Sequence, residues 1–173
     1  TVSDWPSWVG RSFQNYTMSG GSMQPGMPAG TRLYTSQGPA IGRGMIAVFH
    51  LRDGSDDAWT KRIVAVAGDH VQFRGGRLFV NNEAAAPAEP EVESIGGHSY
   101  RIVPITPADR FVDADSLDYI VPPGTVFVLG DNRINSLDSR FDKVGPVPLN
   151  RIIAVGGVVY WLPGTGPVLR RLD

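Results

Sequence analysis

The chain contains no cysteine. That excludes disulfide bridges, zinc–thiolate sites and a cysteine nucleophile together. No run of 18 apolar residues occurs, so no segment has the length of a membrane-spanning helix. The first residues also lack the basic start and apolar centre of a secretory leader. Charge of one sign is missing as well: the net charge is −1, which gives no electrostatic footprint for nucleic acid or a strongly anionic surface. Lysine is scarce, because of 16 basic residues only Lys61 and Lys143 are lysines. Helical periodicity of useful length is absent too.

What remains is short, β-branched runs punctuated by 21 glycines and 14 prolines. Candidate strands are Arg32–Tyr34, Met45–Leu51, Lys61–Ala67, His70–Arg74, Arg77–Asn81, Thr125–Leu129 and Ile152–Leu162. Gly75-Gly76 reads as a tight hairpin turn between two of them. The expected class is all-β, a barrel or sandwich, and 173 residues suit one domain. Residues 82–118 differ, opening on Ala84-Ala85-Ala86-Pro87-Ala88-Glu89-Pro90 without a clear period. They read as an inserted second lobe or long excursion between two parts of a core, 1–81 and 119–173, with one more strand expected at Tyr100–Ile105. Trp5, Trp8, Phe13 and Tyr16 form an aromatic N-terminal group. Such rings suit a membrane interface or the cap of an open barrel end, and Trp161 could join either arrangement.

Three segments carry chemistry. Ser22 sits in Ser19-Gly20-Gly21-Ser22-Met23-Gln24-Pro25. A serine hydroxyl needs a neighbouring base to attack a carbonyl, yet His50, His70 and His98 lie in no setting that names a partner. The Gly-x-Ser-x-Gly pattern fails because Gln24 stands where its second glycine belongs. Lys61 opens an apolar run, and on a strand it shares a face with Ile63, Ala65 and Ala67. Desolvation there lowers an amine's pKa, and a value near ~7–8 suits a general base. A strand-end lysine that snorkels into water is the alternative. The third segment is the polar cluster Gly130-Asp131-Asn132-Arg133-Ile134-Asn135-Ser136-Leu137-Asp138-Ser139-Arg140. Ser136 could orient a neutral amine without adding charge, whereas a carboxylate in that place would stabilise the ammonium. Asp131, Arg133, Asp138 and Arg140 are expected to pair with one another and hold the loop.

With these residues in view, the chain resembles the bacterial type I signal peptidases, membrane-anchored Ser/Lys proteases that remove signal peptides from exported proteins. Ser22-Met23-Gln24-Pro25 is similar to the family's nucleophile segment, and Arg43-Gly44-Met45-Ile46-Ala47-Val48-Phe49 to its second conserved strand. Lys61 through Asp69 looks like the segment bearing the lysine base. Gly130 through Arg140 is similar to the closing box nearly residue for residue. The four appear in the family's order and span most of the chain.

The resemblance implies Ser22 as nucleophile, Lys61 as general base and Ser136 as the group orienting Lys61. Gly20, Gly21, Met23 and Pro25 would shape the oxyanion and substrate site, with the Ser22 backbone N–H as an oxyanion donor. Gly130, Asp131, Asn132, Arg133, Asp138, Ser139 and Arg140 would clamp it. Where many members carry a serine hydroxyl two residues before the nucleophile, this chain has Gly20. Met45 stands where an aspartate is common. A signal-peptidase-like β core with a small inserted lobe is implied, with no cofactor and no metal. Substrates would be preproteins cut after small-x-small sites, bound extended as an added strand. The setting implied is the extracytoplasmic side of the bacterial cytoplasmic membrane, with contact to the lipid surface, a monomeric enzyme and no nucleic-acid partner. An N-terminal anchor ahead of Thr1 is expected.

Two other readings stay open on sequence. Conjugative-transfer peptidases share the Ser/Lys apparatus and process a pilin precursor, so the substrate could be one protein rather than many. A non-catalytic peptide-binding module on the same scaffold is the alternative outside the enzymes. Self-cleaving repressors of the LexA type also use Ser/Lys but lack a cluster like Gly130–Arg140.

Overall fold

The fold was determined as a computed structural model describing residues 13–36, 40–86, 88–106, 109 and 117–172. It contains fourteen strands among the described residues: β1 (Phe13–Thr17), β2 (Arg32–Ser36), β3 (Ile46–His50), β4 (Ala58–Val66), β5 (His70–Arg74), β6 (Arg77–Val80), β7 (Glu83–Ala84), β8 (Val92–Ile95), β9 (His98–Arg101), β10 (Asp118–Ile120), β11 (Thr125–Leu129), β12 (Val147–Pro148), β13 (Ile152–Leu162) and β14 (Gly166–Arg171). A single 3-10 turn, Leu149–Arg151, is the helical element among those residues. No helix there is long and apolar enough to cross a membrane. The all-β class read from the sequence is the class observed.

The main sheet runs β1-β2-β13-β3-β4-β11-β12, with β14 also on β13. A second sheet runs β10-β5-β6-β7, and β8 and β9 form a separate hairpin. The Gly75-Gly76 turn joins β5 to β6 with positive φ at both residues, 57° and 75°, the requirement of a type I′ hairpin. β13 pairs with β2 along one edge from Val155 to Trp161, while on its other edge the partner changes from β3 in its first half to β14 in its second. Gly157 permits the change: at φ 129° a Cβ would lie 2.1 Å from the Tyr34 carbonyl. Only a residue without a side chain passes that close to β2.

Three apolar clusters hold these layers. Val64, Ala65, Val71, Phe73, Leu78, Val121, Phe127 and Leu129 fill the space between β4, β11 and the second sheet. Ala47, Phe49, Ile63, Val126, Val128 and Val155 form another cluster. The third gathers Met18, Met23, Met27, Leu33, Ile46 and Val159, with Tyr16 packed against it.

β4 departs from simple alternation. Its pairing with β11 shifts register between Phe127 and Val128, so that Ala65 faces Phe127 but Ile63 faces Val128. This bulge leaves Val64 unmatched and re-aims the strand beyond it. Ala65 therefore joins a different cluster from Ile63, and Ala67 lies past the strand end. The apolar face expected around Lys61 is shorter than simple alternation gives. Lys61 also sits inside β4, paired with Ala47 of β3, rather than at its start.

Residues 82–118 contribute β7 to the second sheet and the β8–β9 hairpin. After β9 the chain makes two isolated bridges, Ile102 to Pro25 and Val103 to Asn132. The strand expected at Tyr100–Ile105 is thus divided between the end of β9 and this short crossing segment. Trp5 and Trp8 lie outside the described residues.

Candidate active site

The nucleophile loop is anchored from below. Met23 is 0% exposed and Met27 1%, and burying each thioether side chain contributes about 1.5–3 kcal/mol. Met23 and Met27 also form a bridge across the turn, with the Met27 N–H donating to the Met23 carbonyl at 2.8 Å. Met23 was expected to shape the substrate site. Its side chain instead points into the core, because this loop needs an apolar foot to hold Ser22 at the surface. Pro25 likewise faces a different cleft from Ser22.

From the opposite side comes β4. Lys61 Nζ lies 2.8 Å from Ser22 Oγ, and also donates to the Thr60 carbonyl at 3.2 Å. The first contact works in either protonation state: the ammonium donates to the hydroxyl oxygen, or the hydroxyl donates to the neutral amine. Lys61 is only 4% exposed, and burial lowers its pKa from 10.5 to about 8. The charges of Asp138 and Asp131 oppose that fall, but desolvation wins. The Trp59 ring lies 5.4 Å from Nζ. Among the described residues no histidine hydrogen-bonds Ser22. His50 faces the Asp57 carbonyl, His70 pairs with Asp118, and His98 packs near Gly44.

The closing segment 130–140 surrounds this pair. Asn132 N–H donates to the Ser22 carbonyl at 2.9 Å, and Asn132 Nδ2 donates to the Gly21 carbonyl and to Gln24 Oε1, both at 3.2 Å. Gly130 N–H donates to Asp138 Oδ2 at 3.0 Å. Ser139 Oγ accepts from Val128 N–H at 2.9 Å. A Cβ on Gly130 would come 2.2 Å from Ser136 Oγ and 2.6 Å from the Ser22 carbonyl, so glycine lets three segments meet at one point. Ser136 Oγ is therefore beside the nucleophile loop, buried and without a hydrogen-bond partner. It does not hydrogen-bond Lys61 in this state.

The expected pairing of charges within the cluster holds only for Asp138 and Arg140, joined at 2.8 and 2.9 Å. Asp131 pairs instead with Arg62, whose Nε and Nη2 both donate at 2.8 Å. Arg133 pairs with Glu93 of β8, both contacts being 2.6 Å. Arg62 and Arg133 thus take their carboxylates from other elements, while Arg140 is served by Asp138 of its own loop. Glu93, Tyr100 and Arg62 are site residues that sequence reasoning missed. Arg62 stacks on the Tyr100 ring at 3.6 Å, and Tyr100 Oη donates to Glu93 Oε2 at 2.9 Å.

Gly44, in the Arg43–Phe49 segment, has φ 85°, and a Cβ there would strike the Ile95 carbonyl at 2.3 Å. Its carbonyl accepts from Arg62 at 2.6 Å. Neighbouring Arg43 clasps Asp69 through Nε at 2.6 Å and Nη2 at 2.5 Å, with no direct contact to the Ser22–Lys61 pair. Met45 is a packing residue beside Ala47 and Phe49.

A cleft of about 410 Å³ opens over Ser22 and Lys61. Tyr16 through Gly20 form one wall, Asp57 through Lys61 the other, and Leu137 closes it. A Cβ on Gly20 would meet nothing within 4 Å. A second cleft of about 600 Å³ lies beyond Pro25. Its Arg62, Arg101 and Arg170 are engaged by Asp131, Glu91 and the Gly26 carbonyl respectively. No group of residues among those described could hold a metal ion.

The family described as signal peptidase, peptidase S26, matches residues 8–161. The chain belongs to this family. It is a serine endopeptidase, and the recognised relatives agree. It is 32% identical over 159 residues to signal peptidase I of Bacillus caldolyticus, covering 86% of this chain and 80% of that protein. It is 30% identical over 154 residues to signal peptidase I of Bacillus amyloliquefaciens, covering 86% of this chain and 74% of the relative. A solved signal peptidase I of Enterococcus faecalis aligns with 68% of this chain and 97% of its own at 26% identity, with a TM-score of 0.45.

Proposed function

We propose that this peptidase removes signal peptides from preproteins by Ser/Lys catalysis, with Ser22 as nucleophile and Lys61 as general base. The 2.8 Å contact between Lys61 Nζ and Ser22 Oγ, made by an amine with a pKa of about 8, carries this reading. The neutral amine takes the Ser22 proton as Oγ attacks the carbonyl carbon of the scissile bond. The resulting ammonium passes that proton to the departing amine, leaving an acyl-enzyme. Neutral again, Lys61 takes a proton from water for the second attack, and the ammonium returns it to Ser22 Oγ as the ester breaks. The Ser22 backbone N–H is the oxyanion donor in this scheme.

Ser136 fits an orienting role. Its buried hydroxyl lacks a partner, and such a group costs about 1–3 kcal/mol while unsatisfied. When Lys61 protonates and releases Ser22, the ammonium has a donor to spend, and Ser136 Oγ, packed beside the Ser22 loop, is the acceptor in this scheme. Gly130, Asp131, Asn132, Arg133, Asp138, Ser139 and Arg140 hold this geometry. The substrate lies extended between the wall at Tyr16–Gly20 and the wall at Asp57–Lys61, with small residues directed into the cleft. The enzyme works as a membrane-associated monomer on the extracytoplasmic side, where preproteins emerge.

The test is cleavage of a peptide carrying an Ala-x-Ala site in detergent, by the native chain and by Lys61→Ala and Ser22→Ala. Cutting after the second alanine that vanishes in both variants is expected. Activity surviving in either variant would refute the assigned roles. Failure on this peptide with cutting of a pilin-derived one would assign a dedicated pilin precursor as substrate. Binding of both peptides without cutting would mean a non-catalytic module.

A further inference from the structure

The β8–β9 hairpin belongs to the segment between the two parts of the core, and nothing in the reaction scheme above calls on it. Yet it is tied to the catalytic loops at several points. Ile102 bridges to Pro25 in the nucleophile loop, and Val103 bridges to Asn132 in the closing segment. Val103 N–H donates to the Asp131 carbonyl at 2.9 Å, and Arg133 N–H donates to the Val103 carbonyl at 3.0 Å. The chain leaving the hairpin thus contacts both loops that meet at Ser22.

Glu93 is the hairpin's charged contact with this assembly. It is 2% exposed, as is Arg133, and the two form a bidentate pair at 2.6 Å. Arg133 uses its third nitrogen, Nε, on the Gly130 carbonyl, donating at 2.9 Å. Gly130 is the residue against which Ser136 Oγ and the Ser22 carbonyl both pack. Tyr100 Oη holds Glu93 Oε2 from the other side of the hairpin. A continuous series therefore runs from Glu93 through Arg133 to Gly130 and the Ser22 loop.

We propose that Glu93 is a positioning residue for the Ser22–Lys61 pair, acting through Arg133 and the Gly130 carbonyl. This rests on the Ser/Lys reading and extends it to the inserted segment. Buried ion pairs give poor net stability, because desolvation offsets attraction. What the bidentate fork supplies is direction: it fixes the plane of the guanidinium and hence the aim of Nε at Gly130. Without it the 130–133 segment is free to shift, and a displacement near 1 Å at a reacting pair costs up to roughly 10²-fold in rate. The shift also admits water to Lys61. Since burial is the foremost cause of its lowered pKa, the acid limb of activity then moves to higher pH.

The experiment compares Glu93→Gln with the double variant Glu93→Leu/Arg133→Met, using Ser22→Ala and Lys61→Ala as controls. Glu93→Gln strands a buried cation and risks poor folding. The double variant replaces the pair with apolar side chains, an exchange that is often neutral or stabilising. The double variant also takes these partners from Tyr100 Oη and the Gly130 carbonyl, so a folded protein with a modestly lowered melting temperature is expected, with kcat lowered roughly tenfold to a hundredfold. KM should stay nearly constant, and the acid limb should move to higher pH. Wild-type kcat and pH profile in a folded double variant would overturn the proposal and leave the pair purely structural. Active Ser22→Ala or Lys61→Ala controls would instead overturn the Ser/Lys reading beneath it.

Discussion

Replacing Lys61 with methionine should abolish cleavage and, near neutral pH, stabilise the protein. Methionine keeps the length of the side chain but carries no charge to desolvate. The folded-state pKa of Lys61 is about 8, against 10.5 when unburied. Between those values the unfolded chain binds more protons than the folded one, so stability rises with pH across that window. Below about pH 8 the folded protein carries the full cost of a buried ammonium. At 1.36 kcal/mol per pH unit this cost is about 3 kcal/mol. Loss of the hydrogen bond to Ser22 Oγ removes about 1 kcal/mol of support, leaving a net gain of about 2 kcal/mol. In a chain of this size that corresponds to a rise of roughly 4–8 °C in Tm. Urea unfolding of both proteins from pH 7 to pH 10.5 measures it, and the advantage of the variant should hold to about pH 8 and then shrink toward pH 10.5. Equal stability at pH 7, or a gap that does not close with pH, would refute the burial argument. In wild type, kcat/KM should rise through an inflection near pH 8, as protonated Lys61 gives way to the free amine.

Gly130→Ala should lower both stability and activity, because the new methyl group would overlap Ser136 Oγ and the Ser22 carbonyl. Thermal melting and peptide cleavage would check it, and a folded, fully active variant would contradict the packing. Ser136→Ala removes a buried hydroxyl without a partner, so unfolding should show unchanged or slightly higher stability while kcat falls less than in Ser22→Ala. Activity equal to wild type would remove its orienting role. Gly20→Ser has open space for its side chain; Tm should stay within a degree or two, and kcat should rise severalfold if the added hydroxyl reaches the oxyanion.

Much of the catalytic centre was legible because its members sit in short, type-specific segments. Ser22 follows two glycines, Lys61 is one of two lysines in an arginine-rich chain, and the polar cluster directly follows β11. The strands His70–Arg74, Thr125–Leu129 and Ile152–Leu162 matched their expected limits, since apolar runs and turn residues bounded them. β1, β7, β8, β10, β12 and β14 were missed. They are short or lie among prolines and charges, and their strand character comes from a neighbour's hydrogen bonds rather than from pattern. Glu93 was illegible for a related reason. One acid in Val92-Glu93-Ser94-Ile95 reads as a solvated face, and only the tertiary approach of Arg133 makes it buried. The β4 bulge escaped notice because alternation, once assumed, carries forward through Val64.

Lys61 and Arg62 are consecutive on β4, and the strand sends one to Ser22 and the other to Asp131. Their roles demand opposite properties: one must lose its proton near neutral pH, and the other never does. The pairing of β3 with β4, Ala47 opposite Lys61 and Ile46 opposite Arg62, decides which basic group meets the hydroxyl. A slip of one residue would carry Arg62 into the place of Lys61 and Ile63 into the place of Arg62. The serine would then face a permanent cation while the aspartate lost its partner. The same composition, read one step out of phase, would encode an inert protein, so length in the turn between β3 and β4 is free to vary only where it leaves this register intact.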